Sequence, residues 1–259
     1  MMDFWVVTPV FLLVLFAGML LFLEIGRRVG MRRMTGPDGP DSTGFGAVEG
    51  AVFGLLGLLI AFTFSGAGSR FDARRQLVAE EANAIGTAYL RIELLPAEKQ
   101  PAMRDLFRQY LDTRLAAYQK LPDMDSAKTE LARAEALQKV IWTNAVAASR
   151  ESNTTAASML LLPALNHMID ITTTRNVARR THPPTIIFAM LGGLALACSL
   201  LAGYGMAGQK TRSWLHLFSF AAILTFAVYV TLDLEYPCLG FIRVSAVDQV
   251  LVDLRRSMD

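Results

Sequence analysis

Cysteine and histidine are scarce in this chain of 259 residues, and the alternating pattern of β-strands is missing. The two cysteines, Cys198 and Cys238, lack the number and spacing of a disulfide framework or a zinc site. His167, His182 and His216 stand far apart, with no HExxH, CxxC or GxSxG run beside them. Metal hydrolysis, dithiol redox chemistry and serine acyl transfer therefore have no residues to use. No metal site, no cofactor and no enzymatic activity are expected. Net charge is also small: 25 Lys/Arg against 23 Asp/Glu leave +2, which is no footprint for nucleic acid. No internal repeat or low-complexity linker interrupts the chain. No basic segment precedes the first apolar run, so that run is expected to be retained rather than cleaved as a signal peptide.

Apolar length is abundant. Residues 5–23, 50–69, 185–208 and 213–232 form four runs without Asp, Glu, Lys or Arg, each 19 to 24 residues long. A helix needs roughly 20 apolar residues to cross a hydrocarbon layer of ~30 Å. The fold class that follows is all-α: a polytopic membrane protein of four transmembrane helices, with a helical soluble block between spans two and three. Residues 1–65 hold the first transmembrane pair and 66–182 the soluble block continuing from the second span. Residues 183–232 hold the second pair, and 233–259 form a C-terminal segment. The soluble block carries 16 Lys/Arg and 13 Asp/Glu, again close to balance.

Charge does not orient the spans. The short loops carry Arg27, Arg28, Arg32, Arg33, Lys210 and Arg212. The opposite side carries Arg70, Arg74, Arg75, Arg175, Arg179, Arg180 and Arg243 near the span ends. Basic residues accumulate on the cytoplasmic side of membrane proteins, and seven against six is no accumulation.

The soluble block reads as helices. Phe71, Val78, Ala82, Ile85, Tyr89 and Ile92 fall on one stripe. Nothing separates that stripe from the second span, so one long rod is expected to end near Leu95 and Pro96. A second helix follows from Pro101, and a third from about Ser126 as N-cap. A fourth, over about 153–180, should kink at Pro163. Gly86 in mid-helix costs about 1 kcal/mol relative to alanine, which hints at a close helix contact. Glu80 and Glu81 are expected to form surface pairs with Arg74 and Arg75 or with neighbouring helices.

The second span carries two stripes. Gly50, Gly54, Gly57 and Ala61 give a face with almost no side chain, suited to close helix packing in lipid. Phe53, Leu56, Ile60 and Phe64 give a bulky face. That face serves either packing or, around the axis of an oligomer, a hydrophobic constriction that gates ions by dewetting. Glu49 at one end of the span, and Arg70 and Arg74 at the other, are candidate charges at the pore mouths. His216, in the first turn of the fourth span, is a functional or an interfacial residue.

The stretch from Ala61 through Phe62, Thr63, Phe64 and Ser65 to Arg70, Phe71, Asp72, Arg74 and Arg75 resembles the bestrophins as their second helix leaves the bilayer. Leu234, Glu235, Tyr236, Pro237, Cys238, Leu239 and Gly240 resemble the bestrophin acid-x-Pro-x-Gly segment, with one extra residue before the glycine. With residues 81–90 and the order of parts, the whole chain is similar to the bestrophin-like domain family of bacterial proteins. That resemblance implies a homopentamer with an axial pore lined by the second helix and a cytoplasmic soluble block. The calcium-binding acidic cluster of gated bestrophins is absent; only Asp248 and Asp253 stand in that region. Calcium prefers six to eight oxygen ligands.

The reading that follows is a homo-oligomeric passive channel for small inorganic ions, leaning to anions. It would sit among lipid in a bacterial inner membrane, with no nucleic acid as partner. Its rival is a membrane-anchored oligomeric scaffold or sensor that binds a partner through the soluble block. A secondary transporter would show inverted repeats, broken helices or midplane charges, and none is seen.

Overall fold

The computed structural model describes residues 4–34, 45–120, 123–151, 155–208, 214–236 and 245–259. Those residues form eight α-helices and no strand: α1 Phe4–Met34, α2 Phe45–Leu90, α3 Gln100–Gln119, α4 Met124–Glu151, α5 Leu162–Arg180, α6 Thr185–Gly205, α7 Trp214–Glu235 and α8 Ser245–Arg256. The class is all-α. Four helical stretches, Thr8–Arg33, Gly46–Leu94, Ala157–Gly208 and Trp214–Glu235, are long and apolar enough to cross a membrane. The expected long rod exists: α2 runs unbroken from Phe45 to Leu90, and a 3₁₀ turn over Arg91–Leu94 ends it. Loop residues Lys210, Arg212, Pro237, Cys238 and Gly240 lie outside the described residues.

The chain divides into two compact units, residues 1–69 with 182–239, and residues 70–181 with 240–259. In the first, α1 and α6 pack backbone against backbone. A Cβ at Gly26 would lie 1.9 Å from the Leu200 carbonyl oxygen, and one at Gly203 would lie 2.0 Å from that of Leu23. A Cβ at Gly30 would come within 2.6 Å of the Ala207 Cβ. Small residues at steps of four (Gly26 and Gly30 on α1, Ser199 and Gly203 on α6 with Ala207 in the 3₁₀ turn after it) permit this approach, which gains dispersion contacts in lipid. Leu15, Met19, Leu56, Leu191, Ala221 and Val228 fill the adjoining core.

The second unit is closed by large side chains. Val78, Ala82, Ile85 and Tyr89 of α2 and Ile92 of the 3₁₀ turn are buried with Phe107, Tyr110, Ile141, Leu165 and Met168. The C-terminal helix α8 belongs to this core through Leu251, and the residues after it through Met258. The Met258 carbonyl accepts hydrogen bonds from the Tyr89 hydroxyl at 3.1 Å and Arg108 Nε at 3.0 Å. Gly86 makes room for α8: a Cβ there would sit 3.3 Å from Leu254 Cδ1.

Two local readings change. The cap of α4 is Asp123 rather than Ser126. Its carboxylate accepts the backbone N–H groups of Asp125 and Ser126 and the Ser126 hydroxyl. Those bonds, the Ser126 hydroxyl first, hold its carboxyl below the usual range. The bend expected at Pro163 is preceded by a π-helical turn over Ala157–Leu161, a loosened winding that a prolyl ring next in line favours.

Candidate functional site

The membrane segment of α2 stands apart from the other spans. Only 6% of its most apolar window is buried, against 22% to 28% for the other three. What is buried lies on one side. Leu56 is 3% exposed, packed among Leu15, Met19, Ala195 and Cys198. Phe53 meets Phe220 edge-on at 6.1 Å, and Ile60 packs on the same cluster. The Thr63 hydroxyl donates back to the Leu59 and Ile60 carbonyls at 2.8 and 3.0 Å, so it asks for no partner elsewhere.

The bulky stripe therefore splits. Leu56 is a core residue of its own chain. Phe53 and Ile60 are half-buried beside it, and Phe64 alone of the four is exposed, at 47%. The small-residue face is the open one. Gly50, Gly54, Gly57 and Ala61 are exposed, and a Cβ at any of the three glycines would meet no other atom within 4 Å among the described residues. On or beside that face stand two large side chains that the sequence reading passed over, Leu58 at 51% and Phe62 at 67% exposure. A helical wheel finds them: residues 54, 58, 61 and 65 lie opposite Leu56, with 62 on the flank of that face.

The charged candidates also separate. Glu49 is half-buried and lies against the last turn of α6, its Oε2 3.5 Å from where a Gly205 Cβ would stand. Arg74 is buried and caps α5, donating from Nε to the Ala178 carbonyl at 3.2 Å and from Nη2 to the Thr181 carbonyl at 3.0 Å. A cation at a helix C-terminus satisfies orphan carbonyls and the negative end of the dipole. Arg74 is thus withdrawn from the role of mouth charge. Arg70 is half-buried. Arg75 remains exposed, over the Phe71 ring and 3.8 Å from Asp72.

Two buried carboxylates were not legible as such. Glu81, expected on the surface, is fully buried. Its Oε1 takes Arg114 Nε at 2.8 Å, and its Oε2 pairs with Arg175. Both guanidinium groups also contact Tyr118, at 5.6 and 4.9 Å from its ring centre. Glu235 is likewise fully buried, with His182 Nδ1 at 3.0 Å from its Oε1 and the His182 ring stacked on Tyr236. This pair ties the entry of the third span to the exit of the fourth. A buried carboxylate persists only when such partners offset its lost hydration.

Chemically, the membrane segment offers an open apolar face with backbone close to the surface and two bulky residues in its middle. Among the described residues, no group of His, Cys, Asp and Glu could hold a metal ion. A family model described as Bestrophin-like domain matches residues 11–248. No curated protein and no solved structure matches the chain.

Proposed function

The chain belongs to the bestrophin-like domain family, and on that premise we propose that this integral membrane protein is a homo-oligomeric passive ion channel lined by α2. One observation supports the reading above others: α2 is the apolar helix that its own chain leaves most open. A single chain cannot enclose a path with one helix face, whereas several copies around an axis can. We take five copies from the family resemblance.

The narrowest part of the path is then Leu58 with Phe62, in place of the stripe containing Leu56. These side chains stand on or beside the open small-residue face, with Leu55 also exposed on their flank, and a ring of apolar side chains gates by dewetting. Chloride-like anions come ahead of cations, because Glu49, the carboxylate that argued for cations, is turned toward α6. In this reading the helical block is cytoplasmic, in a bacterial inner membrane. A cysteine placed at Asp125, exposed at the start of α4, should resist an impermeant thiol reagent in intact cells and react after lysis. Equal labelling before lysis reverses the orientation.

The decisive measurement is ion flux from loaded liposomes. Leu58→Ala and Leu58→Ser should raise chloride efflux with the oligomer intact, serine more than alanine. Leu56→Ala should instead leave a cavity, costing about 2–5 kcal/mol, without opening anything. Wild-type and Leu58 variants equally tight to chloride, sodium and potassium would sink the channel and leave a membrane-anchored scaffold.

A further inference from the structure

His167 had no partner in the sequence, and the fold gives it company. In the second unit, Asn83, Thr87 and Arg91 follow one another at steps of four along the end of α2 and its 3₁₀ turn, and so share one face. Opposite them stand Pro163 and His167 of α5. Between lies an open groove of about 270 Å³.

Every titratable or hydrogen-bonding side chain on this groove can donate, and no carboxylate lines it. Arg91 is held in place: its Nη1 donates to the Leu160 carbonyl, at 2.7 Å, inside the π-helical turn. That bond uses one of five guanidinium N–H groups, and the rest keep their fixed fork. π-helical turns in α-helices recur at functional sites because they displace backbone and side chains from regular register. Among the described residues, Asn83, Thr87 and His167 have no hydrogen-bond partner in the protein. Four donors thus converge on one space, with one permanent positive charge among them.

We propose that this groove is a binding site for a small oxyanion of the phosphate type, free or carried on a small ester. Arg91 supplies charge and a two-pronged donor; Asn83, Thr87 and His167 supply single donors around it. The groove is open to solvent, which suits a small oxyanion that keeps part of its hydration. The site lies on the helical block and does not depend on the channel reading.

The test is titration of the full-length protein in nanodiscs with inorganic phosphate, followed by calorimetry or phosphorus NMR line width, with no ion gradient applied. One saturable site per chain is expected. Sulfate should compete, and glycerol 3-phosphate binding as well as phosphate would mark the ester as an equal source. Arg91→Gln should weaken binding about tenfold or more, the loss of a charge-assisted pair. Because that change also removes the Leu160 hydrogen bond, Asn83→Leu serves as the second variant: it fills the groove from an exposed helix face and leaves that bond intact. It should abolish phosphate binding at an unchanged melting temperature. Absence of saturable phosphate binding in the wild type, or wild-type affinity in Asn83→Leu, overturns the site.

Discussion

Along α2 the same steps of three and four residues produce faces with opposite fates. From Val78 to Ile92 the stripe is covered by the rest of its own unit. From Gly50 to Ala61 the stripe is exposed, and a Cβ at Gly50, Gly54 or Gly57 would meet nothing within 4 Å among the described residues. The solvents explain the contrast. In water an exposed Ile or Tyr stripe costs roughly 25 cal/mol per Å² left uncovered, so the block must bury it at once. In lipid no such force acts between helices, and a smooth face can wait for a helix from another copy. The α1–α6 seam shows the alternative within the membrane, where the small face has been closed inside one chain.

The largest effect that sharpens this contrast belongs to the covered half. Glu81→Gln leaves the buried Arg114 and the half-buried Arg175 without their carboxylate and should cost about 3–5 kcal/mol, read as a lowered denaturant midpoint. A loss under about 1 kcal/mol would mean that the two guanidinium groups reach water without Glu81.

Next come two glycines that share a residue type and differ in surroundings. Gly203→Leu drives side-chain atoms into the Leu23 backbone and should cost about 3 kcal/mol or more; thermal unfolding in detergent should show early aggregation. Gly54→Leu should leave the single chain as stable as before, within about 1 kcal/mol, since leucine is the better helix former. Its effect should fall on assembly, as a lower particle mass by light scattering. Were both variants to unfold alike, the distinction between a closed seam and an open face would be lost.

The smallest contrast is confined to alkaline solution. Burial holds the Tyr110 phenol above its ordinary range, against the opposing pull of Arg114 and the Gln138 hydrogen bond. Above pH about 10 the unfolded chain releases that proton while the folded chain keeps it. Fewer protons are then bound in the unfolded state, so stability falls as pH rises through this range. Tyr110→Phe should flatten this loss between pH 9 and 11, at the cost of about 1 kcal/mol at neutral pH for the missing hydrogen bond. An unchanged slope would show that other groups carry it.

Much of the architecture was legible because its cause is local. Runs of 19 to 24 uncharged residues mark spans whatever surrounds them, and the stripe through Val78, Ala82, Ile85 and Tyr89 marks a covered face. Asp123 was passed over for Ser126 because both are good caps; only the backbone decides which one precedes the first turn. The α1–α6 seam was equally written in Gly26, Gly30, Gly203 and Ala207, yet spacing alone does not say which two helices meet. The stripe of Phe53, Leu56, Ile60 and Phe64 misled for the same reason. Bulk at helical spacing marks a face without saying whether a neighbour already lies on it.

By itself, then, the sequence determined the helices, the four apolar crossings and the family, since each depends on residues near one another or on an ordered run of them. The tertiary structure alone decided which side of α2 stays open. It placed Arg74 as a cap, and it seated Glu81 between Arg114 and Arg175, 33 and 94 residues away. It also brought His167 beside Arg91. Those outcomes rest on contacts between distant segments, and burial and pairing are properties of what arrives there, not of the residue that waits.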